Sequence, residues 1–311
     1  MKVVRAVLFP TAASLAQALE SSGYLADAAL ALAAWLALCL ERPLLVEGPA
    51  GVGKTDLARA LATASSRELV RLQCYEGLDE AKALYEWNYG KQMLYAQLLR
   101  DAVAARTSDA ATLGEAVDLV AGADDVFFSR RFLVERPILH ALTREEPVVL
   151  LIDEVDRAEP EFEALLLEVL AEGQITIPEL GPIRAAHPPL VVLTSNGSRE
   201  MSDALRRRCL HAFVDYPPPS RERAIIELRV PGIAADLADH LTAFVERLRA
   251  SGLRKPPSVA EAIDWARSLV TLGASALDPQ TVEATLGVLL KHAEDRGQVA
   301  SKLGDLLPPK P

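Results

Sequence analysis

The chain has 311 residues, room for about two domains, and its 50% hydrophobic and 24% charged content excludes a disordered chain. Its 43 acidic residues outnumber 33 basic ones, a formal net charge of −10, which argues against a nucleic-acid binder though not against a local basic patch. Cys39, Cys74 and Cys209 are odd in number, far apart and in no Cys-x-x-Cys pair. They exclude a disulfide framework and a cysteine zinc site, and they point to a reducing, cytoplasmic compartment.

In chain order, the start MKVVRAVLFP has no basic stretch followed by an apolar one, so no signal peptide is expected. Residues 12 to 40 read as helical, with Leu15 and Leu19 on one face and a break at Gly23-Tyr24. The run from Ala28 to Leu40 has 13 uncharged residues closed by Asp27 and Glu41. A membrane span needs about 20, so a buried core helix is expected instead. Residues 41 to 216 alternate short apolar strands with longer helical patterns, which implies βαβ units and a mostly parallel sheet. Pro217-Pro218-Pro219 then breaks the pattern. Beyond it, four helices are expected at Arg221 to Arg229, Ala234 to Arg249, Ser258 to Thr271 and Pro279 to His292, followed by an extended tail.

The sharpest local signal is Gly48-Pro49-Ala50-Gly51-Val52-Gly53-Lys54-Thr55, which fits G-x-x-x-x-G-K-[ST] at every position. It sits between an apolar strand pattern at Pro43 to Glu47 and a helical pattern from Thr55 to Ala64. The glycines let the backbone curl so that successive N–H groups face a phosphate chain, and the helix N-terminus adds positive potential. Lys54 suits the β- and γ-phosphates, and the Thr55 hydroxyl suits Mg²⁺. The alternative is a glycine-rich turn with a surface lysine.

Val148 to Ile152 is an unbroken apolar run ending in Asp153-Glu154, which reads as a central strand with two acids at its carboxyl end. Asp153 suits holding Mg²⁺ and Glu154 suits a base that polarises a water, unless both merely end the strand and cap the next helix. A second apolar strand, Leu190 to Thr194, ends in Ser195-Asn196. Asn196 can both donate and accept at a water and a γ-phosphate, or it can be a turn residue before Gly197. Arg206-Arg207-Arg208 is either a solvated helix end or the source of an arginine finger donated to a neighbouring subunit.

Together these residues resemble the AAA+ ATPases and, within them, the MoxR family, from about Ala12 to His292. Gly48 to Thr55 matches Walker A and Val148 to Glu154 matches Walker B, while Asp153-Glu154-Val155-Asp156-Arg157-Ala158 resembles D-E-x-N-R-A with Asp156 for the usual Asn. Asn196 falls on sensor 1 and Arg208 on the arginine finger, with Arg207 the runner-up. Gln73-Cys74-Tyr75-Glu76-Gly77-Leu78-Asp79 and Tyr85-Glu86-Trp87-Asn88-Tyr89 look like the CoxD-type branch, ATPases encoded with carbon monoxide dehydrogenase and related molybdenum hydroxylases. Gln174 to Pro189 looks like the clade's pre-sensor-1 hairpin, and its alternating Ile175 and Ile177 fit an exposed strand. Lys54 and Asp153 stand 99 residues apart, which leaves room for the family's helix-2 insertion, placed near Tyr85 to Lys91. At the start of the expected sensor-2 helix stand Ser258-Val259-Ala260-Glu261, without the arginine, so Arg254, Lys255 and Arg267 stay open as substitutes.

The resemblance implies an α/β P-loop AAA+ fold: a helical linker over 1-40, an αβα nucleotide-binding core over 41-218, a helical lid over 219-300 and an extended tail over 301-311. It implies an ATP- and Mg²⁺-dependent chaperone acting as a ring, expected as a hexamer, with a von Willebrand factor A partner and a metalloenzyme client. Two rivals remain at this level. A nucleic-acid motor or GTP-driven restriction subunit is disfavoured by the net charge and by the missing Asn/Thr-Lys-x-Asp guanine signature. A small-molecule P-loop kinase needs neither the helical lid nor an arginine in trans.

Overall fold

The computed structural model describes residues 8–98, 100, 112 and 127–307. Its main sheet has five strands: β1 (Leu44–Glu47), β2 (Leu69–Gln73), β5 (Val149–Asp153), β8 (Leu190–Ser195) and β9 (Leu210–Phe213). Their spatial order is β2-β5-β8-β1-β9. β5 runs parallel to both neighbours, with Val149 opposite Leu69 on one side and Leu190 on the other. Every residue of β5 and β8 is buried, which is why both sequences are apolar without alternation. Two small antiparallel pairs complete the strands: β3 (Tyr85–Trp87) with β4 (Leu133–Glu135), and β6 (Gln174–Ile177) with β7 (Gly181–Arg184). The second pair is the expected hairpin. The first closes a long excursion that begins within the segment expected to hold the insertion.

The chain divides into two compact units, each discontinuous in sequence. One comprises the described residues up to Trp35, Val46–Ser65 and those from His211 on, and the other Leu36–Leu45 and Ser66–Leu210. In the second unit, α6 (Pro137–Thr143) packs on β2 and β5, while α7 (Pro160–Glu172) packs on β6 and on α8 (Asp203–Arg208). Ile138, Leu139 and Leu142 of α6 and Phe162, Leu166 and Val169 of α7 share one core with Val70, Leu72, Leu150, Ile152, Val191 and Leu193. α4 (Glu80–Ala83) starts on an Asp79 side-chain cap, and the exposed α5 (Tyr89–Leu98) follows β3.

The first unit holds α1 (Ala12–Ser21), the start of α2 (Ala28–Leu40), α3 (Lys54–Ala64) and the C-terminal helices. α1 opens with a capping box between Thr11 and Ser14, and it buries Leu15 and Leu19 as its spacing predicts. α2 buries Leu30, Ala31, Ala34 and Ala37 but leaves Leu32 and Leu40 exposed, so the core helix expected here turns only one face to the core. Among the described residues no helix is long and apolar enough to cross a membrane.

The C-terminal helices are α9 (Pro219–Arg229), α10 (Ala235–Ala250), α11 (Val259–Thr271) and α12 (Pro279–Leu289), close to the four expected. Two more follow: α13 (Ala293–Ser301) and α14 (Leu303–Leu306), so helix continues into the segment expected to be a tail. Its apolar signal is thin, because Val299 and Leu303 are the residues of this stretch buried in the core, with Leu306 and Leu307 only partly buried against it, while the buried Asp295 accepts the N–H groups of Arg254 and Lys255 at 2.9 and 3.2 Å. Residues 308–311 lie outside the described residues. The centre of this core is Trp265, fully buried against Phe244 with its indole N–H donated to Thr285 at 2.8 Å.

Candidate functional site

The glycine-rich loop lies in the first unit. β1 ends at Glu47, the loop curls through Gly48 to Gly53, and α3 begins at Lys54. Gly53 is the N-cap at φ +98°, and no side-chain hydrogen bond caps the helix; a helix N-terminus of this kind favours an anion. A Cβ on Gly48 would lie 1.9 Å from the Val214 carbonyl oxygen. One on Gly51, at φ +76°, would lie 2.4 Å from Ser258 Oγ. A side chain at Gly48 would run into backbone, and one at Gly51 would have to displace Ser258. Lys54, itself buried, donates its ammonium to the Gly48 and Pro49 carbonyls at 2.7 and 2.6 Å. That places a cation inside the curl.

The loop also meets the start of α11. Ser258 and Glu261 form a capping box there, and the Ala260 N–H donates to the Gly51 carbonyl at 3.1 Å. The residues nearest Gly51, Ser258 and Ala260, are both small, as this approach requires. Of the three open sensor-2 substitutes, Arg254 pairs with Glu294 at 3.8 Å, Lys255 with Glu261 of this capping box at 3.7 Å and Arg267 with Asp264 at 3.4 Å. Two arginines of α9 instead tie the loop between α1 and α2 into this unit. Arg221 donates to Asp27 and to the Leu25 carbonyl, and Arg229 to the Gly23 carbonyl and to Asp56 in the first turn of α3. Tyr24 of that loop lies 3.5 Å from a Cβ placed on Gly53. Burial pushes its hydroxyl pKa up, against the opposing charge of Arg221.

The acidic group lies in the second unit, at the carboxyl ends of β2, β5 and β8. Asp153 is buried. Its Oδ1 accepts the Thr194 hydroxyl at 2.6 Å, and its Oδ2 accepts Arg71 Nε and Nη2 at 3.1 and 2.6 Å. Glu154 has φ +55°, one of three described non-glycine residues with positive φ. Such a conformation is costly for a glutamate and persists only where its surroundings impose it. They do: its N–H donates to Thr194 Oγ1 at 2.9 Å. Its carboxylate accepts Asn196 Nδ2 at 3.3 Å, Gln73 Nε2 at 3.2 Å and Arg157 Nε at 3.0 Å. The expected base and the expected sensor thus share a hydrogen bond.

Asp156, the departure from the family's usual Asn, is also buried and holds the chain carrying Asn196. It accepts the N–H groups of Asn196 at 3.2 Å and of Ser198 at 2.9 Å, and the Ser198 hydroxyl at 2.6 Å. Burial pushes its carboxyl up, but these donors outweigh burial and hold it below the usual carboxylate range. Cys74, beside Asp153, has its thiol pushed up to about 12, first by burial and then by Asp153, Asp156 and Glu154. It stays protonated and unreactive at neutral pH.

The arginines stand apart from this group. Arg207 and Arg208 are exposed at the C-terminus of α8, and among the described residues neither side chain bonds to Asp153, Glu154 or Asn196. The helix beneath them is fixed at both ends. Arg42 donates to the Arg207 and Arg208 carbonyls at 2.8 and 3.2 Å. At the other end Glu163 of α7, paired with Arg199, accepts the N–H of the N-cap Ser202 at 2.9 Å.

Sequence reasoning assigned no role to Arg71, Gln73, Thr194 or Arg42. A signal existed for the first two. In the strand Leu69-Val70-Arg71-Leu72-Gln73, both polar residues fall at period 2 on one face, beside the acidic strand end.

A family model described as AAA domain (dynein-related subfamily) matches residues 43–209, just over half of the chain. An uncharacterized protein of Staphylococcus epidermidis is 24% identical over 262 residues, covering 82% of this chain and 86% of its own. The chaperone protein ClpB of Corynebacterium diphtheriae is 29% identical over 208 residues, which are 61% of this chain but only 20% of ClpB. Among solved structures, the Thermotoga maritima RuvB Holliday junction branch migration motor aligns with a TM-score of 0.46 at 16% identity, over 94% of this chain and 76% of its own.

Proposed function

The chain belongs to the AAA domain family, dynein-related subfamily, and from that premise we propose that it is an ATP-hydrolysing chaperone of the MoxR type, nearest the CoxD branch. The observation that carries the reading is the strained Glu154, whose carboxylate meets the Asn196 amide at 3.3 Å at the end of the central strand. Packing alone gives no reason to hold a glutamate in that conformation.

The residues present fit a magnesium nucleotide. The uncapped start of α3 and the buried Lys54 suit a polyphosphate. A hydroxyl and a carboxylate, Thr55 and Asp153, are oxygen donors suited to Mg²⁺. Bound ATP supplies the phosphoryl group and Mg²⁺ neutralises its charge. In this reading Gly48, Pro49, Ala50, Gly51, Val52 and Gly53 offer the loop that wraps the phosphates, and Lys54 turns from its carbonyls to them. Glu154 accepts the proton of the attacking water. Asn196 holds Glu154 on one side and orients the water on the other. Arg208, or Arg207 in its place, acts on the γ-phosphate of a neighbouring subunit, so the working form is a ring, which we take as a hexamer.

The finer identity rests on resemblance: a von Willebrand factor A partner, a molybdenum-type metalloenzyme client and a cytoplasmic site of action. The first test is phosphate release with calorimetric ATP binding. The wild type should turn over ATP, and Lys54→Ala should lose binding, because its ammonium is the buried cation of the cradle. Undiminished affinity in Lys54→Ala would defeat the reading. Co-elution with the von Willebrand factor A protein in the presence of ATP tests the branch.

A further inference from the structure

Asp153 has two oxygens, and this chain's own groups use both. Oδ1 accepts Thr194 at 2.6 Å. Oδ2 accepts two donors of the Arg71 guanidinium, at 3.1 and 2.6 Å. The same Nη2 also bonds Gln73 Oε1, so the guanidinium is held flat between two acceptors of neighbouring strands. Burial differs sharply across the pair: the Asp153 side chain is 4% exposed and that of Arg71 is 43% exposed. Arg71 therefore reaches the buried carboxylate from the solvent side, the direction from which any cation must arrive.

We infer that Arg71 and a divalent cation compete for Asp153 Oδ2, which makes Arg71 a positioning residue that sets how readily the site takes up metal. This rests on the ATPase reading above. A carboxylate has about four lone-pair sites, and Thr194 with the two Arg71 donors takes up at least three of them. A hard divalent ion, or a water it carries, needs an oxygen of this carboxylate with nearly ideal geometry. Arg71 in its present place would also set a like charge beside that ion, and the low local dielectric makes this repulsion costly. Arg71 must therefore withdraw, and its half-exposed stem allows it to swing into water. Metal uptake is weakened by the share of time that Arg71 stays in place. In return, Arg71 gives a buried carboxylate an opposite charge.

The experiment uses the full chain with saturating ADP and Mn²⁺ as probe, read by electron paramagnetic resonance, with circular dichroism for folding. Arg71→Met should bind Mn²⁺ more tightly, by about tenfold if the ion pair is formed about nine-tenths of the time. It should also show a lower melting temperature without metal and a larger rise when Mn²⁺ and ADP are added. Arg71→Lys keeps the charge and should stay within about threefold of wild type. If Arg71→Met does not fold, Arg71→Gln carries the same test. Unchanged or weaker Mn²⁺ affinity in the folded neutral variant overturns the inference. A wild-type chain that holds no Mn²⁺ with ADP overturns the ATPase reading itself, and this inference with it.

Discussion

The two halves of the candidate machinery are built from different material. The cradle of the first unit is made of backbone: glycines where a Cβ would collide, a helix start with no side-chain cap, and one lysine on the loop's own carbonyls. The acidic group of the second unit is made of side chains that reach across β2, β5 and β8. A backbone device tolerates no added atom yet depends on few neighbours. A side-chain device tolerates conservative change at each position, but each residue depends on several others. Substitutions of Glu154 or Arg208 in the second unit should therefore act on rate, and substitutions in the first unit on binding and folding.

The largest expected effect tests the claim about rate. Arg208→Ala removes an exposed side chain beside a helix end that Arg42 caps by its carbonyls, so folding and ATP binding should survive. Turnover should fall by about 10³–10⁵ if the arginine acts as a finger. Mixing Arg208→Ala with Lys54→Ala subunits should restore some turnover, since each supplies what the other lacks. Mixed oligomers that stay inactive at every ratio would exclude Arg208 from acting in trans and pass the role to Arg207. Glu154→Gln comes next. The amide keeps the size but cannot take a proton, so kcat should fall by about 10²–10⁴ with ATP affinity kept. Normal turnover would return Glu154 to the bland role of ending a strand.

These effects bear on how much was legible in advance. The cradle could be read because its parts are contiguous: Gly48 to Thr55 is one motif, flanked by its strand and helix. Asp153, Glu154 and Asn196 could be read because each sits at the end of an apolar run. Arg71, Gln73 and Thr194 could not be assigned, because their partners lie 82, 81 and 41 residues away and are set by strand order. Asp156 was visible only as a departure from a pattern, and its reason is a loop 40 residues on. Among the C-terminal helices, apolar stripes gave α9 to α12 to within about three residues at each end, while α13 and α14, with one buried apolar residue each, left no stripe to read.

A smaller effect tests the claim about binding. Gly51→Ala places a methyl group at φ +76° and against Ser258. We expect a loss of about 1–3 kcal/mol in stability and weaker ATP binding, measured by thermal unfolding and calorimetry. Ser258→Gly in the same chain should recover part of it by removing the collision, leaving the backbone strain and the lost cap of α11. If the double variant is no better than Gly51→Ala, contact with the start of α11 does not constrain the loop.

The smallest effect sits where the two kinds of construction meet, at a side chain whose work is to hold backbone. Asp156 accepts the N–H groups of Asn196 and Ser198 and the Ser198 hydroxyl. Asp156→Asn keeps the shape and one acceptor oxygen, so turnover at neutral pH should change only a few-fold. Hydrogen bonds to a charged acceptor contribute about 1.5–3 kcal/mol, and some of that should be lost. The pH dependence identifies the source. The carboxyl is held below its usual range in the folded chain. Its contribution is therefore fully present above the ordinary carboxylate pKa, near pH 4, and is lost as pH falls through the lower folded value. The melting temperature of wild type should exceed that of Asp156→Asn at pH 7, and the gap should narrow as pH is brought below about 4. A gap that stays constant with pH would mean that shape, not charge, holds the Asn196 loop in place.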